Sequence, residues 1–326
     1  MLYPLKLNPV YKEPIWGGKR LREVFGKNIP SDRTGESWEI ACHKNGTSTV
    51  SNGFLKGKSL KEVIDKYGIE ALGNKIGKEG LKKFPLLVKI IDASDKLSVQ
   101  VHPNDEYAKE HEGELGKTEM WIVLDAKPKA KLVYGVKPGV TKEKFKKAIE
   151  EGTLEELLNF VEAKKGDVFF IPSGTIHAIG EGLLIAEIQQ NSDTTYRVYD
   201  WNRVDSNGKS RELHIKKALD VADLSDVTGK EKVIGKIVKE GENIRNHLVS
   251  CKYFETEIIT IKKESIEKLS GEKFDLLMAI EGSGEILYKE GKESFNAGDS
   301  FFIPANIGDY SIVGNCSIIK SFIPII

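Results

Sequence analysis

The sequence predicts a mainly β protein built from two related β domains, and three observations support this prediction. The chain has 326 residues, which is enough for two domains that each bury a core. Short apolar runs recur along it and are separated by turn-forming Gly, Asp and Pro residues, as in β-sandwiches and barrels. One of these runs occurs twice in nearly the same form.

The repeated run indicates a duplication. Residues 165–172 read KGDVFFIP and residues 297–304 read AGDSFFIP, so they agree at six of eight positions. In both, a Gly-Asp turn leads into a buried strand that ends at proline. The 132-residue separation is longer than the period of a solenoid repeat. We therefore predict two copies of one domain.

The two copies differ in chemistry. His177 stands five residues after Pro172, whereas Asp309 stands five residues after Pro304. The last histidine of the chain is His247. A metal site that includes His177 would therefore have no counterpart in the second copy, and the chemistry is assigned to the first two-thirds of the chain.

Helices are predicted at three places between the strands. Ser59 and Glu62 form a capping box that begins a short helix ending near Tyr67. Residues 141–160 carry apolar side chains at helical spacing, with a second capping box in the middle, and residues 214–220 form a shorter candidate. The predicted strands are FPLLVKII, LSVQVH, EMWIVLD, DVFFIP and LLIAEIQ, followed by FETEIITI, DLLMAI, GEILYK, SFFIP and SIIKSFI.

Composition and charge exclude several classes of protein. The 49 basic and 49 acidic residues balance, which removes the attraction that drives generic binding to nucleic acid or anionic membranes. The three cysteines are far apart and form no CxxC pair, so neither a disulfide framework nor a thiolate zinc site is expected. No signal peptide is visible, and the most apolar stretch, residues 84–91, is too short to span a bilayer. We expect a cytoplasmic protein.

A polar strand face provides the first candidate metal ligands. Residues 97–102 read LSVQVH, so Ser98, Gln100 and His102 share one face of the strand and the apolar side chains share the other. This polar face could line the interior of a barrel, or it could simply meet solvent.

Two further candidates come from neighbouring predicted strands. Glu119 begins the apolar run EMWIVL, where an uncompensated buried carboxylate would be costly, although a carboxylate at a strand end can also lie at the rim. His177, considered alone, could be an ordinary core histidine. Together with Gln100 and His102, these residues form a ligand set suited to catalytic zinc, manganese or iron with an open coordination position. Their spacing in the sequence does not establish that they converge.

Six motifs that appear in order resemble those of a known family. They are IWGG at 15–18, ESWE at 36–39, QVHP at 100–103, KTEM at 117–120, IPSGTIHA at 171–178 and EIQQNSDTTYR at 187–197. The chain resembles type I mannose-6-phosphate isomerases in the short form found in many bacteria. The resemblance implies two cupin-type jelly-roll domains, one zinc ion per chain, and interconversion of mannose 6-phosphate and fructose 6-phosphate.

The resemblance also implies roles for individual residues. The zinc ligands of the family match the four candidates already named, its active-site arginine matches Arg197, its nearby acid matches Asp193, and the lysine before the metal glutamate matches Lys117. One position departs from the pattern. Larger relatives have a histidine directly before that lysine, whereas this chain has Gly116, so the role of that histidine is not transferred.

An aldose–ketose isomerase must open the sugar ring, move a proton between C1 and C2, and stabilise the enediol(ate). We expect zinc and Arg197 to hold the charged oxygens and Lys117 or a metal-bound water to move protons. Asp193 is expected to bind substrate, either as a base or by orienting Arg197.

The phosphate group needs an anchor of its own. Only seven of the 49 basic residues are arginines, and Arg197, Arg203 and Arg211 fall within fifteen positions, so this cluster is the candidate. The last two arginines could instead form surface ion pairs with neighbouring acids. Trp16 is a candidate wall of a sugar pocket or a core residue, and for Trp38 core packing is favoured.

The expected organisation is a catalytic domain over 1–213 with helical insertions near 59–83 and 141–160, a connector over 214–246, and a metal-free cupin-like domain over 247–326. The expected partner is a phosphosugar substrate, and the chain is expected to act as a monomer or homodimer. Two alternatives remain. Two histidines and a carboxylate also fit the iron of a cupin dioxygenase, and a cupin scaffold can bind a sugar phosphate without catalysis.

Overall fold

A computed structural model describes residues 1–204 and 208–324, with the backbone alone at residues 77–79. The helices are α1 Arg20–Phe25, α2 Leu60–Tyr67, α3 Ile69–Leu72, α4 Gly77–Lys82, α5 Asp105–Glu112, α6 Lys142–Glu151 and α7 Ile215–Val221. The strands of the first half are β1 Leu5–Asn8, β2 Val10–Lys12, β3 Glu36–Ile40, β4 Cys42–His43, β5 Gly46–Thr47, β6 Thr49–Val50, β7 Leu86–Ala93, β8 Val99–Val101, β9 Glu119–Ala126, β10 Lys131–Val136, β11 Leu158–Glu162, β12 Val168–Ile171, β13 His177–Ala178, β14 Leu183–Gln190 and β15 Tyr196–Tyr199. The second half contributes β16 Lys236–Glu240, β17 Asn243–Ser250, β18 Glu255–Ile261, β19 Glu264–Glu267, β20 Asp275–Tyr288, β21 Gly291–Asn296, β22 Ser300–Ile303 and β23 Tyr310–Phe322.

Two antiparallel sheets form the first β-sandwich. One has the order β12-β9-β14-β7-β3-β2 and the other the order β11-β10-β13-β8-β15. Buried side chains from both sheets, among them Ile91, Trp121, Leu132 and Ile185, pack into one cluster between them. Because β8 and β13 lie in one sheet and β9 in the other, the candidate ligands approach each other from opposite walls.

The strands of the second sandwich are hydrogen-bonded into one ten-stranded sheet, in which β20 and β23 are the longest strands. Its main path is β16-β17-β18-β23-β20-β22-β1-β6, with β19 on β23 and β21 on β20. The first strand of the chain therefore belongs to the second sandwich, where Leu5 pairs with Phe302. The mainly β, two-jelly-roll fold is as predicted; the boundaries at residues 213 and 246 stay predictions.

The repeated run has the same hydrogen bonds in both sandwiches. Gly166 and Gly298 both adopt positive φ angles, 90° and 93°, which a side chain would strain. Asp167 accepts a bond from Lys164 N, and Asp299 accepts one from Asn296 N, each at 2.8 Å. The two turns are thus built alike, which supports duplication.

The helix predictions are partly correct. In α2 the Ser59 hydroxyl accepts from Glu62 N and the Glu62 carboxylate accepts from Ser59 N, so the predicted capping box is present. The helix predicted over 141–160 is too long, because Gly152 takes a left-handed conformation that ends α6. A 3₁₀ turn over Leu154–Leu157 and strand β11 follow, and the second predicted capping box does not form.

Helix α7 matches the predicted helix at 214–220 within one residue. Helix α5 was not predicted, although Asn104 caps it by accepting a hydrogen bond from Tyr107 N. No helix in the described part of the chain combines the length and apolar character needed to cross a bilayer.

Candidate metal centre and active site

The predicted ligand side chains meet between the two sheets of the first sandwich. His177 on β13 pairs directly with Gln100 on β8, and His102 follows at the end of the same strand. Glu119 opens β9 on the opposite sheet. Atoms of His102, Glu119 and His177 lie within 4.8 Å of one another, and all three residues are buried. The polar face of residues 97–102 therefore lines the interior of the sandwich and does not simply meet solvent.

Both imidazoles point an unprotonated nitrogen at this centre. His102 Nδ1 lies 2.9 Å from the carbonyl oxygen of Thr194, and His177 Nδ1 lies 2.8 Å from that of Thr175. Since a carbonyl only accepts, each Nδ1 carries the proton and each Nε2 is a bare acceptor. Burial lowers the pKa of His177 to about 4 and holds the pKa of His102 well below its usual value, so both rings are neutral.

Buried acceptor atoms of the two histidines and Glu119 face one another at this centre. The two Nε2 atoms are 3.1 Å apart, and Glu119 oxygens lie 3.6 Å from His102 Nε2 and 3.4 Å from His177 Nε2. No hydrogen-bond donor in the described residues serves Glu119 Oε1. Burial, reinforced by the nearby Glu187, raises the pKa of Glu119 to about 7. Such a cluster of bare acceptors fits a bound cation.

Gln100 and Lys117 complete this centre. The Gln100 amide nitrogen lies 3.3 Å from His177 Nε2, and rotating the amide by half a turn places its oxygen there instead. Lys117 Nζ lies 2.9 Å from Glu119 Oε2. The four predicted ligands and the predicted lysine are therefore adjacent, and the donor set of two imidazoles, a carboxylate and an amide oxygen suits a divalent metal.

A cavity of about 280 Å³ opens beside the centre. Gln100, Lys117, Asp193 and Arg197, all predicted site residues, line it. The other residues that line it are Pro14, Trp16, Glu36, Trp38, Lys89, Ile91, Leu97, Ser98, Ile179, Glu187, Thr195 and Arg211. Its lining of mixed charge and two tryptophan rings can hold a small anionic polar molecule.

A buried ion pair that the sequence analysis missed lies in this lining. Lys89 on β7 and Glu187 on β14 are direct cross-strand partners, with Nζ 3.2 Å from Oε1. Trp121 Nε1 donates to the other oxygen of Glu187 at 2.9 Å. Burial alone would raise the pKa of Glu187, but Lys89 outweighs it and lowers that pKa to about 2.

The signal for this pair was present in the sequence. Lys89 interrupts the most apolar stretch of the chain, and Glu187 lies in the apolar run LLIAEIQ. A charge in a strand that is buried on both faces needs a partner, so two such strands with opposite charges predict a pair between them. Both tryptophans of the early motifs also line the cavity, including Trp38, for which core packing was favoured.

The three clustered arginines separate in the structure. Arg197 lines the cavity, donates from Nη1 to the carbonyl oxygen of Glu212 at 2.9 Å, and has Nε 3.3 Å from Ser98 Oγ. Arg203 and Arg211 both bind the carboxylate of Asp200. Arg211 also lines the cavity, whereas Arg203 turns to Asp95, 3.0 Å away. Arg197 and Arg211 therefore share the cavity, and Arg203 lies outside its lining.

Asp193 lies at the edge of the cavity on the segment before β15. Its Oδ2 accepts a hydrogen bond from the Asn45 side chain, and its Oδ1 lies 3.7 Å from His43 Nε2. About a third of the side chain, 32%, is exposed. Asp193 is thus held by the β4–β5 hairpin, a contact that no sequence pattern indicated.

Comparison with known proteins bears on both halves of the chain. Residues 4–146 match the phosphomannose isomerase type I catalytic domain, and residues 243–323 match the mannose-6-phosphate isomerase cupin domain. The mannose-6-phosphate isomerase ManA of Bacillus subtilis is 43% identical over 319 residues, which cover 98% of each chain. The mannose-6-phosphate isomerase of Streptococcus mutans is 40% identical, again over 98% of each chain.

Solved structures agree with these sequence matches. The crystal structure of the mannose 6-phosphate isomerase from Bacillus subtilis superimposes with a TM-score of 0.90 at 41% identity, covering 98% of this chain and 99% of that one. A phosphomannose isomerase variant from Salmonella typhimurium superimposes with a TM-score of 0.78 at 17% identity, over 98% and 99% of the two chains. At that identity, the second likeness shows a shared fold alone.

Proposed function

The chain belongs to the type I mannose-6-phosphate isomerase family, and from this premise we propose that it interconverts mannose 6-phosphate and fructose 6-phosphate. Because it belongs to this family, the chain is an isomerase. The observation that carries the choice of substrate and reaction is the cluster of buried bare acceptors at His102, Glu119 and His177, opening onto a cavity lined by Lys117 and Arg197. An aldose–ketose isomerase needs a polarising cation, a proton-transfer group and a fixed positive charge.

We propose Zn²⁺ as the metal, held by Gln100, His102, Glu119 and His177. Neutral imidazoles and a carboxylate are ligands that zinc prefers at catalytic sites, and no thiolate lies among them. When bound, zinc would supply a Lewis acid that polarises the carbonyl and hydroxyl oxygens of the sugar. The carbonyl groups of Thr194 and Thr175 fix the tautomers that present each Nε2 to the metal.

We propose that Lys117 moves the proton between C1 and C2 in forming and collapsing the enediol(ate). Its Nζ lies 2.9 Å from Glu119 Oε2 and its side chain lines the cavity, so it bridges the metal centre and the substrate space. The side chain is almost completely buried, at 5% exposed, which keeps water from competing for the proton.

Arg197 and Asp193 are proposed to bind the substrate. Arg197 uses two groups, Nε and one Nη, on Ser98 and Glu212, so further guanidinium N–H donors remain for the oxygens of a phosphosugar. Asp193 offers a carboxylate to a sugar hydroxyl across the same cavity. Positive and negative groups in one cavity can orient a ligand that carries both phosphate and hydroxyl groups.

We further propose that the enzyme acts in the cytoplasm, as a monomer or homodimer. Its three cysteines, Cys42, Cys251 and Cys316, are free thiols, which suits a reducing compartment. Nothing in the described residues favours the iron dioxygenase or the non-catalytic sugar-phosphate binder over the isomerase.

The decisive experiment is a coupled assay of the purified protein on mannose 6-phosphate, before and after chelation and after return of zinc. We expect turnover that is lost on chelation and restored by zinc. Oxygen uptake is measured in parallel, because a dioxygenase would consume oxygen and an isomerase works equally well under nitrogen. Absence of turnover with fresh zinc, or turnover that survives thorough metal removal, would overturn the proposal.

A further inference from the structure

A short hairpin braces the carboxylate of Asp193. Strands β4 and β5 form this hairpin, in which His43 pairs with Gly46. Asn191 ties it to the segment before β15 by donating from Nδ2 to the carbonyl oxygen of Cys42 at 2.9 Å. Two side chains of the hairpin then face the two oxygens of Asp193: Asn45 donates to Oδ2, and His43 lies opposite Oδ1.

The tautomer of His43 is set by its own hairpin. The backbone N–H of Asn45 donates to His43 Nδ1 at 3.2 Å, so Nδ1 is an acceptor and the proton of the neutral ring sits on Nε2. Burial lowers the pKa of His43, which favours this neutral form. The ring therefore presents an N–H toward the carboxylate of Asp193.

This N–H has no hydrogen-bond partner among the described residues, although it is buried. Only 2% of the His43 side chain is exposed, and Oδ1 of Asp193 lies 3.7 Å from Nε2, beyond a normal hydrogen bond but within reach of a small shift. A buried donor left unpaired is costly, so the site favours the movement that closes this gap.

The backbone before Lys117 leaves no room for a side chain at position 116. A Cβ atom at Gly116 would lie 2.5 Å from Asn104 C and Asp105 N, both backbone atoms. Of the six histidines, all within the described residues, His43 is the one placed against Asp193.

We propose that His43 is a positioning residue for Asp193: its Nε2–H closes onto Oδ1 when substrate binds and, with Asn45 on Oδ2, fixes the carboxylate toward the sugar. This inference rests on the proposed role of Asp193 in substrate binding. His43 itself does not touch the cavity and acts through the carboxylate alone.

The first test compares variants that keep or lose the donor. His43→Phe keeps a ring against Trp38, whose ring centroid is 5.9 Å away, but loses the N–H. We expect its kcat to fall roughly 10- to 100-fold with metal content unchanged. His43→Gln places an amide N–H near the position of Nε2 and should recover most of the loss, whereas His43→Asn, whose amide is too short, should not. Should the Phe variant fail to fold, the Gln and Asn pair decides by itself.

The second test is a double-mutant cycle with Asp193→Ala. If His43 acts through Asp193, adding His43→Phe to Asp193→Ala costs no further turnover. A multiplied loss would show that His43 only supports the fold and would overturn the inference, as would equal activities of the Gln and Asn variants. Unchanged turnover of Asp193→Ala alone would instead overturn the proposed role of Asp193.

Discussion

Glu119 and Asp275 occupy the same register position in the two sandwiches, because each pairs with the isoleucine of the repeated run, Ile171 or Ile303. Glu119 faces two imidazoles that present bare nitrogens. Asp275 instead lies 3.2 Å from the ammonium of Lys320 and accepts a hydrogen bond from Tyr310. Both acids therefore lie beside a lysine, Lys117 or Lys320. The first sandwich differs in the two imidazole acceptors around Glu119, where the second has the hydroxyl donor of Tyr310.

Each sandwich also has a buried lysine–glutamate pair on the two strands beside this position, and the two charges occupy opposite strands in the two sandwiches. In the first, Glu187 pairs across the strands with Trp121 and Lys89. At the matching positions of the second, Lys320 pairs with Leu277 and Glu257. Carboxylate and ammonium have therefore exchanged strands. This exchange places Lys320 beside Asp275, whereas the lysine beside Glu119 is Lys117, two residues before it in the chain.

The buried ammonium should matter for stability in the second sandwich. Lys320 contacts Glu267 at 2.6 Å as well as Asp275, and both acids are buried. Replacing Lys320 by Met removes the ammonium that binds Asp275 and leaves Glu267 with Arg245, 2.7 Å away. We expect a loss of about 3–5 kcal/mol in the free energy of unfolding, measured by chemical denaturation.

The matched control is Lys292→Met, since Lys292 is 63% exposed and its ion pair with Glu285 lies at the surface. That variant should change the unfolding midpoint little. Equal shifts for the two variants would contradict the idea that the buried lysine compensates the acids.

Measurement of bound zinc should distinguish the histidines that bind the metal from those that do not. Alanine at His102 or His177 removes a ligand from the cluster, so each variant should retain far less than the one zinc ion per chain expected of the parent protein. His111, an exposed histidine on α5, serves as control, and its alanine variant should keep full metal content. Elemental analysis after dialysis measures the zinc content of each variant. Full zinc occupancy in both ligand variants would reject the assigned site.

The ligand residues were predictable because they sit in local patterns that elementary geometry constrains. Alternation over 97–102 put Gln100 and His102 on one face, and the repeat located the strand before His177. Convergence was not predictable from these patterns, since it depends on the pairing of His177 with Gln100, 77 residues away in sequence. The hairpin that holds Asp193 was missed for the same reason.

The Lys89–Glu187 pair should make the free energy of unfolding fall at acidic pH. The folded-state pKa of Glu187 is about 2 against an ordinary 4.5, so its stabilising contribution is present above pH 4.5 and is lost as the pH falls toward 2. Glu187→Gln leaves the buried Lys89 with the more distant carboxylate of Glu36, 3.7 Å away, and we expect it to cost about 3 kcal/mol of unfolding free energy at pH 7.

The difference between Glu187→Gln and the parent should shrink as denaturation is repeated at steps from pH 5 downward. In that range the unfolded parent chain binds a proton at Glu187, whereas the folded state keeps the carboxylate ionised down to about pH 2. Glu181→Gln is the control, since Glu181 is 60% exposed and its Oε1 lies 3.8 Å from Lys127 Nζ. A difference that stays constant down to the lowest pH at which the protein folds would refute the assignment.

Arginine variants should distinguish the residue that holds substrate from the one that holds structure. Arg197 lines the cavity, so Arg197→Ala should lower turnover by roughly 10²- to 10³-fold with zinc content intact, and Arg197→Lys should recover only part of it because a lysine lacks the planar fork. Arg203 is occupied by Asp95 and Asp200 outside the cavity, so Arg203→Gln should keep near-normal kcat and KM while lowering the melting temperature. Steady-state kinetics and thermal unfolding of the three variants decide the matter. Near-normal turnover of Arg197→Ala would contradict the proposed role of Arg197 in substrate binding. A loss of turnover in Arg203→Gln alone would contradict it as well.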